Sequence, residues 1–511
     1  MAARDGRSDV KQTTAGLRRD SLMAQGPVST MRNKMKTGLE ANTGSFRDPV
    51  NRVYEVTPKS SNEKIRILRG LSKDALAIYQ KLSGEAFFRK ALDACHVVQT
   101  ELLAADDEDA RAVMKEGWAG ALEHDPIPFV TYPYEWTFSM LKDAALLQLH
   151  LIEKSLENGW TLKDATPYNI QWIGSRPVFI DVPSFQPWEE GEPWVGYRQF
   201  CSMFLTPLML RAHLGIDHLP ILRSYIDGVP PMEAAKYFTG TKRLKNGVLS
   251  HIIFPAKVEN SIVKRERDNA PARQRTSHKQ SKAMVLGLVQ SLTRLVHKLS
   301  IKIKHTDWSK YDKTHSYPEV DLDAKKAFVL KHAATNQRQY IWDIGCNTGT
   351  FSRISSKCCS QVISVDGDHD VVEQIYLAEK MNAGSNILPL VMNLANVSPG
   401  QGWAGSERRA FDQRRKPDLV LCLALIHHVR LSANIPNALF LKWLRSLEAG
   451  VILEFVNRED EMVVKLLTNK KEQYEDYNLG QFTAEAERFF TIKAQESLKG
   501  GKREIFYLTP R

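Results

Sequence analysis

Short apolar runs alternate with helical patterns through about the last two-fifths of the chain. Runs typical of buried strands occupy residues 340–342, 361–365, 387–391, 418–423 and 450–455. Between them lie polar turns and segments whose apolar residues recur with the period of a helix. Strands that are separated by helices predict a parallel, doubly wound α/β sheet.

The chain closes with two apolar runs that no helical pattern separates. They cover residues 489–497 and 503–508, and Lys499-Gly500-Gly501-Lys502 joins them. A glycine-containing turn between two such runs is typical of a β-hairpin. We therefore expect a terminal antiparallel hairpin beside a mostly parallel sheet.

The first half of the chain has a different pattern, which predicts a separate α+β domain over residues 45–255. Val53-Tyr54-Glu55-Val56 is typical of a short strand, and helical patterns follow at 71–82, 86–105 and 139–158. In the last of these, the apolar residues are spaced as on one face of an amphipathic helix. We expect this domain to bind substrate or to be accessory.

Two segments are expected to lie outside the folded domains. Residues 1–44 are rich in Arg, Lys, Ser and Thr, which predicts a disordered basic tail. Residues 256–306 form a basic linker that separates the first domain from a second one at 307–511. Within the linker, residues 284–299 predict a cationic amphipathic helix. We favour a connecting helix packed on a neighbouring domain, and a weak contact with a membrane surface is the alternative.

Composition fits a globular protein of several domains. Of 511 residues, 43% are hydrophobic and 25% are charged. The formal net charge is +11, but most of the excess lies in the linker and does not favour nucleic acid as a partner. The six cysteines form no CxxC pair, which predicts neither a disulfide framework nor a metal site. Together with an N-terminus that lacks an apolar signal segment, this indicates a cytoplasmic protein.

A glycine-containing segment follows the first predicted strand of the second domain and precedes a helix. It reads Asp343-Ile344-Gly345-Cys346-Asn347-Thr348-Gly349. In open α/β sheets, ligands bind at the carboxyl ends of the strands. Glycine lets a ligand approach the backbone closely, and a helix N-terminus favours a carboxylate. Because the spacing differs from the G-x-G-x-x-G of nicotinamide-binding loops, the segment predicts a loop for another cofactor.

Polar residues also follow the other predicted strands. Asp366 follows the second strand and Asn393 the third, while the fourth strand leads into Ala424-Leu425-Ile426-His427-His428. The carboxyl ends of parallel strands meet at one edge of a sheet, so we expect these residues to lie near the glycine loop.

Three residues are candidates for acid–base chemistry. An imidazole titrates near neutral pH, so His427 or His428 is a candidate general base. Glu454, at the end of the fifth strand, is a further candidate for accepting a proton or binding substrate. The alternative is that one of the histidines caps or orients its loop.

Together, these motifs resemble those of class I methyltransferases that use S-adenosylmethionine, over residues 307–511. The resemblance implies a Rossmann-like fold and no metal. An acid at the position of Asp366 accepts the ribose hydroxyls in the family, and Asn393 would offer its carbonyl oxygen to the adenine amine. Asn347 replaces a glycine of the family loop, and Asn tolerates the left-handed conformation. The implied cofactor residues are Asp343, Gly345, Asn347, Gly349, Asp366, Asn393 and Ala424.

Further segments resemble one bacterial subgroup of these enzymes, which includes NoeA-type nodulation proteins. Trp308, Tyr311 and Tyr317 resemble the aromatic segment that some members fold over the cofactor. The segments that indicate the subgroup are Asn393-Leu394-Ala395-Asn396, Ser398-Pro399, Gly402-Trp403 and Leu423-Ala424-Leu425-Ile426-His427-His428.

A weaker resemblance concerns the first domain. Asp164, Asn169 and Asp181 are spaced similarly to the catalytic loop and metal-binding acid of protein-kinase-like phosphotransferases. The resemblance implies Asp164 as a base and the other two as magnesium ligands. However, the segment lacks the family's His-Arg and Phe-Gly, and no glycine-rich phosphate loop is evident upstream. The alternative is a turn in which these residues cap the backbone around Pro167.

These patterns predict a two-domain, S-adenosylmethionine-dependent methyltransferase that acts on an O or N nucleophile of a small molecule or glycan. Three rivals remain open. One is a bifunctional kinase-like methyltransferase, and another is a scaffold that keeps the fold without catalysis. The third is a nucleic-acid methyltransferase that uses the linker, whose binding would weaken steeply with salt. The oligomeric state is left open.

Overall fold

The computed structural model describes residues 38–57, 65–267, 279–303, 319–468, 470, 474–498 and 500–511. The aromatic segment with Trp308, Tyr311 and Tyr317 lies outside the described residues, as do residues 1–37 of the expected tail. Among the helices within those ranges, none has the length and apolar character that crossing a membrane requires.

An antiparallel five-stranded sheet opens the N-terminal half, in the order β1-β2-β3-β5-β4. Leu39 lies opposite Val56 in it, so the prediction of a disordered tail is wrong from residue 38 to residue 44. A strand of three residues is too short to produce a periodic pattern. The strands are β1 (Leu39–Ala41), β2 (Asn51–Val56), β3 (Arg66–Leu71), β4 (Thr100–Leu102) and β5 (Gly120–His124).

Helices accompany this sheet. The predicted helix at 86–105 ends early, because Cys95 adopts a left-handed backbone with a φ of 53° that a right-handed helix does not accommodate. The predicted amphipathic helix at 139–158 is present, and the Thr137 hydroxyl caps it by accepting a hydrogen bond from the Met140 N–H. The helices are α1 (Lys73–Leu82), α2 (Ala86–Asp93), α3 (Glu108–Lys115) and α4 (Phe138–Glu157).

Two pairs of short antiparallel strands and further helices complete this half. Strand β6 (Trp160–Leu162) pairs with β9 (Phe185–Pro187), and β7 (Ile170–Ile173) pairs with β8 (Arg176–Phe179). A π-helical turn at Cys201–Leu205 interrupts the helical period, so the sequence analysis did not resolve the helices there. They are α5 (Tyr197–Phe200), α6 (Thr206–Leu214), α7 (His218–Ser224), α8 (Pro231–Tyr237) and α9 (Phe254–Arg267).

The amphipathic helix of the basic linker is α10 (Lys282–Lys298). It packs along α4, and its residues Val285, Val289, Leu292 and Val296 are buried. This confirms the interpretation as a packed connecting helix. Most of the apolar face on which a membrane contact would depend is therefore covered by protein.

The C-terminal half is a Rossmann-like α/β domain around a seven-stranded sheet, in the order β12-β11-β10-β13-β14-β16-β15. Strands β10 to β14 run parallel, whereas β16 pairs antiparallel with β14 and β15. The strands are β10 (Arg338–Ile344), β11 (Cys359–Asp366), β12 (Ile387–Val391), β13 (Leu419–Cys422), β14 (Gly450–Val456), β15 (Phe490–Ser497) and β16 (Arg503–Pro510).

Helices flank the sheet, and the predicted ones at 370–382 and 438–447 are present as α13 and α14. Two C-terminal helices, α15 and α16, were not predicted from the sequence. The helices of this half are α11 (Glu319–Ala333), α12 (Thr350–Ser355), α13 (His369–Lys380), α14 (Asn437–Ser446), α15 (Glu461–Leu467) and α16 (Leu479–Glu487).

The two faces of the seven-stranded sheet are covered by different parts of the chain. On one face, Ile341, Leu421 and Ile452 pack against Phe328 and Val329 of α11. Side chains alternate along a strand, so their neighbours point to the opposite face. On the opposite face, the side chains of the strands belong to a core that also contains side chains of the N-terminal half. The residues that the sheet contributes to this core include Trp342, Ile344, Ile363, Val365, Leu388 and Val420.

The two halves therefore share one hydrophobic core. Residues 392–418, between β12 and β13, hold only short 3₁₀ turns and no α-helix, so they leave part of this face for the N-terminal half to cover. Phe129 and Phe411 contact Trp342 with ring centroids 6.2 and 4.5 Å away. The expectation of a separate N-terminal domain needs correction, because packing against the sheet makes it part of the same folded unit.

Buried polar contacts hold the same interface. Arg414 pairs with Glu135 at 2.6 Å, and the side chains are 2% and 1% exposed. The His369 Nε2 atom accepts a hydrogen bond from the Phe138 N–H at 3.0 Å, at the start of α4. Because buried polar groups require partners, these contacts fix the orientation of α4 against the sheet.

Candidate active site at the strand ends

The segments that carry the predicted cofactor residues meet at one edge of the seven-stranded sheet. Strand β10 lies between β11 and β13, in parallel with both. An added Cβ at Gly345 would lie 3.0 Å from the Leu425 side chain, and one at Gly367 would lie 3.7 Å from the backbone of Asn393. The structure thus brings together the loops after β10, β11, β12 and β13, as the sequence predicts.

The glycine loop depends on backbone conformations that few residues adopt. Gly345 and Gly349 have φ angles of 76° and 82°, and Asn347 has a φ of 47°. Asn is among the residues that tolerate the left-handed region, as expected where the family has glycine. The Asn347 Oδ1 atom is buried and accepts no hydrogen bond in the part of the chain that the structure describes. The loop therefore presents a free acceptor.

Asp343 lies beneath this loop and is 2% exposed. The Ser352 hydroxyl of α12 donates to its Oδ2 atom at 2.6 Å, and the Ser364 hydroxyl donates to Ser352 at 2.8 Å. Burial raises the pKa of Asp343 to about 6. Through these two hydroxyl groups, Asp343 links β10 to α12 and β11 below the loop.

Asp366 clamps the loop from the end of β11. Its Oδ2 atom accepts a hydrogen bond from the Asn347 N–H at 3.0 Å, and its Oδ1 atom accepts one from the Asp368 N–H at 2.9 Å. Burial raises its pKa. A carboxylate oxygen can accept more than one hydrogen bond, so Asp366 keeps acceptor capacity for a ligand.

Asn393 and Ala424 complete the edge. The Asn393 Oδ1 atom accepts a hydrogen bond from the Ala395 N–H at 2.9 Å, so the carbonyl that the resemblance assigns to adenine also caps a turn. Ala424 has a φ of 51°. Such strained backbone occurs where surrounding structure enforces it, often at functional sites.

His427 and His428 follow directly, and their ring centroids lie 4.1 Å apart. His427 is 1% exposed, and neither ring nitrogen has a hydrogen-bond partner among the described residues. Burial lowers the pKa of His427 well below that of an ordinary imidazole, and it lowers the pKa of the half-buried His428 as well. Both rings are therefore neutral at pH 7.

Glu454 is fully buried in a cluster of charges. Lys325 of α11 pairs with it at 2.5 Å, and Arg503 of β16 pairs with it at 3.2 Å. Arg503 also pairs with Asp460 at 2.8 Å. The Glu454 carboxylate pairs with two cations, so Glu454 is better suited to stabilising the site than to accepting a proton.

The sequence analysis missed Lys325 and Arg503. Each lies in an element far from Glu454 along the chain, Lys325 next to Lys326 and Arg503 next to Lys502. Lys325 also lies over the Phe351 ring, 4.7 Å from its centroid. No local pattern indicates such a cluster, because it forms only when α11 and β16 pack beside β14.

The buried His427 should make folding depend on pH. Its folded-state pKa lies below the unfolded value, so the unfolded chain binds more protons as the pH falls below 6.5. Stability should therefore decrease from pH 6.5 downward, by about 1.4 kcal/mol per pH unit for one residue. His427→Phe should show a shallower slope between pH 6.5 and 5 in urea unfolding. Equal slopes in both proteins would show that His427 titrates normally.

Asn169 and Asp181 of the kinase-like segment contact each other, and Asp164 lies near Asp181. Asp181 accepts hydrogen bonds from Arg69 at 2.7 Å and from Asn169 at 3.3 Å. The backbone of Asp164 bonds to Gln148 and Ser184, and burial and the nearby Asp181 raise its pKa. Arg69, on β3, is a partner that the sequence analysis did not identify.

Comparison with known proteins identifies a relative that covers most of the chain. The nodulation protein NoeA of Rhizobium meliloti (strain 1021) is 32% identical over 470 residues, which cover 91% of this chain and 94% of the relative. The chain belongs to the NoeA family of nodulation proteins. This confirms the resemblance to NoeA-type proteins, and it extends over the N-terminal half as well. No family model matches the chain.

Solved structures that resemble the chain include two that cover about two-fifths of it. The PH0226 protein of Pyrococcus horikoshii OT3 is 16% identical, and the match has a TM-score of 0.29. The matched region is 42% of this chain and 100% of PH0226. The N-methyltransferase NodS of Bradyrhizobium japonicum WM9 is 8% identical, also with a TM-score of 0.29. The matched region is 38% of this chain and 99% of NodS. The fold of this NoeA relative follows from its own strand order, with five parallel strands and an antiparallel pair at one edge.

Proposed function

We propose that the C-terminal half binds S-adenosylmethionine and transfers its methyl group to an O or N nucleophile of a small molecule or glycan. The observation that carries the proposal is the glycine loop at the end of β10, clamped by Asp366 from the end of β11. The name of the relative, nodulation protein, states a process and no reaction. The acceptor class is therefore our own inference.

The residues at the strand ends fit this cofactor. The free Asn347 Oδ1 atom suits an ammonium donor, such as that of the cofactor's aminoacyl end. Gly345 has a φ of 76°, and a Cβ there would lie 3.0 Å from Leu425, so the loop depends on glycine at this position. The partly buried Asp366 would accept the ribose hydroxyls, as the resemblance implies.

The cofactor, when bound, supplies a methyl group that its sulfonium charge already activates. The chain's own residues then have to hold the acceptor in line, exclude water and receive a proton. His428 suits the last role better than His427, because its pKa is lowered less and its ring is less buried. An unprotonated His428 nitrogen would take the proton that the nucleophile loses.

Loss of the two acids should remove cofactor binding. We expect the wild-type protein to bind S-adenosylmethionine and S-adenosylhomocysteine in calorimetric titration. In the Asp343→Ala/Asp366→Ala variant the affinity should fall roughly 10- to 100-fold or more, because hydrogen bonds to charged groups contribute roughly 1.5–3 kcal/mol each.

Asp323→Ala is the matched control, since that side chain is 68% exposed on α11 and away from the strand ends. Asp366→Asn separates charge from shape, and thermal unfolding shows whether each variant is folded. Absence of binding by the folded wild-type protein would contradict the proposed function and favour a scaffold.

A further inference from the structure

A cavity of about 530 Å³ lies in the N-terminal half, away from the strand ends. The turn at 42–48, strand β3 and the segment 164–169 form its walls, and residues 407–415 of the C-terminal half close it. The cofactor residues at the strand ends are absent from its lining. Its volume is that of an ordinary small-molecule site.

Carboxylates and arginines line this cavity, and most of the arginines are already paired. A phosphate group would have to compete with these carboxylates for its cations. Both oxygens of Asp181 also accept hydrogen bonds, from Arg69 and from Asn169. The ion pairs, at 2.7 to 3.2 Å, are Arg69–Asp181, Arg47–Glu407 and Arg409–Glu55.

Other acceptors in the cavity have no such partners. Within the described parts of the chain, the side chains of Asp164 and Asp227 accept no hydrogen bond, although both line the cavity. Asp164 is partly buried, and its pKa is raised by burial and by the nearby Asp181. A partly buried carboxylate such as Asp164 favours a ligand that donates hydrogen bonds, and Asp227 is exposed at the cavity.

Aromatic rings and a guanidinium plane also line the cavity. The Arg408 guanidinium lies 4.1 Å from the centroid of the Tyr168 ring, and the Tyr132 ring lies 6.3 Å from Tyr168. Flat rings and guanidinium planes pack against the C–H face of a sugar ring, while carboxylates and amides accept and donate to its hydroxyls. The cavity combines both kinds of contact.

We propose that this cavity binds a neutral saccharide. Asp164 and Asp227 accept hydrogen bonds from its hydroxyl groups, and the half-buried Tyr168 packs on a face of its ring. The site goes beyond the proposed methyl transfer and does not depend on it, because none of the cofactor residues lines the cavity.

Residues 407–415, which close the cavity, connect it to the sheet of the C-terminal half. Arg408 and Arg414 line the cavity, and Phe411 between them contacts Trp342 on β10 at a centroid distance of 4.5 Å. Strand β10 leads directly into the glycine loop. A saccharide held here is therefore in contact with the segment that packs on the cofactor strand.

The test is an array of neutral oligosaccharides, two to six sugars long, probed with the full-length protein. We expect at least one to bind, and Asp164→Asn and Tyr168→Leu each to weaken that binding roughly 10- to 100-fold, as loss of a charged or packed contact does. Asp93→Asn is the matched control, because Asp93 is exposed on α2. Affinity for S-adenosylhomocysteine should stay unchanged in all three variants.

Failure of this proposal is distinguishable from failure of the methyl-transfer proposal. No binding to any saccharide, or equal binding by Asp164→Asn and Asp93→Asn, would overturn the saccharide site. Binding of magnesium ATP that Asp181→Asn abolishes would also overturn it, in favour of a nucleotide site. Loss of saccharide binding in the Asp343→Ala/Asp366→Ala variant, if it stays folded, would contradict the independence of the two sites.

Discussion

Replacing Glu135 by glutamine should lower the free energy of unfolding by about 3–5 kcal/mol, as removal of one partner from a buried ion pair does. Arg414 would keep its charge, because a guanidinium is not deprotonated in proteins. Two bonds to Glu135, at 2.6 and 2.8 Å, would lose their charged acceptor. The Tyr132 N–H, which donates to Glu135 at 3.0 Å, would also lose its charged acceptor.

The same variant tests whether the two halves unfold together. Glu135 belongs to the N-terminal half and Arg414 to the segment between β12 and β13, and side chains of both halves share one core. Urea unfolding followed by tryptophan fluorescence and by circular dichroism should therefore give one coincident transition, shifted to lower urea in the variant.

Two further variants separate charge from structure. Glu189→Gln, at an exposed position, should change stability by less than about 0.5 kcal/mol. Glu135→Leu/Arg414→Met should recover much of the loss, because apolar pairs often replace buried ion pairs without cost. Two separate transitions in the wild-type protein, or a loss below about 1 kcal/mol in Glu135→Gln, would contradict the shared interface.

A second large effect is expected at the base of the candidate active site. Glu454→Gln should also cost about 3–5 kcal/mol, because it removes the carboxylate that pairs with the buried Lys325 and Arg503. Burial already lowers the pKa of Lys325. Loss of the Glu454 carboxylate should therefore favour the neutral form of Lys325. The variant should be most destabilised at neutral and acidic pH, where Lys325 has to carry its charge.

Chemical denaturation at several pH values measures this effect. Glu475→Gln, at an exposed position, is the matched control. Lys325→Met in the Glu454→Gln background removes one of the uncompensated charges and should restore part of the stability. If Glu454→Gln alone is as stable as the control, Glu454 is not held by the cluster and becomes a candidate base again.

The sequence predicted the C-terminal sheet closely, because its strands are buried on both faces and read as continuous apolar runs. Strand β12 occupies the predicted residues 387–391. Strand β14 extends one residue beyond the prediction, to Val456. The loops at the strand ends follow from parallel topology alone, which is why Asp366 could be placed beside the glycine loop.

What the sequence could not predict depends on contacts between distant segments. Strand β1 is recognisable only through its pairing with β2, and the predicted helix at 86–105 failed at one left-handed residue, Cys95. The Lys325–Glu454–Arg503 cluster joins three elements that are far apart along the chain. The shared core is equally invisible locally, because one face of a sheet strand has the same pattern whichever segment covers it.

The most direct test of the account is transfer of a labelled methyl group from S-adenosylmethionine to a panel of glycans and small molecules with free hydroxyl or amino groups. We predict that the wild-type protein labels at least one acceptor and that the Asp343→Ala/Asp366→Ala variant does not. In His428→Ala it should be roughly 100-fold slower or more, while cofactor affinity stays unchanged. Binding of the cofactor with no label on any acceptor, or equal rates in wild type and His428→Ala, would contradict the proposed catalysis.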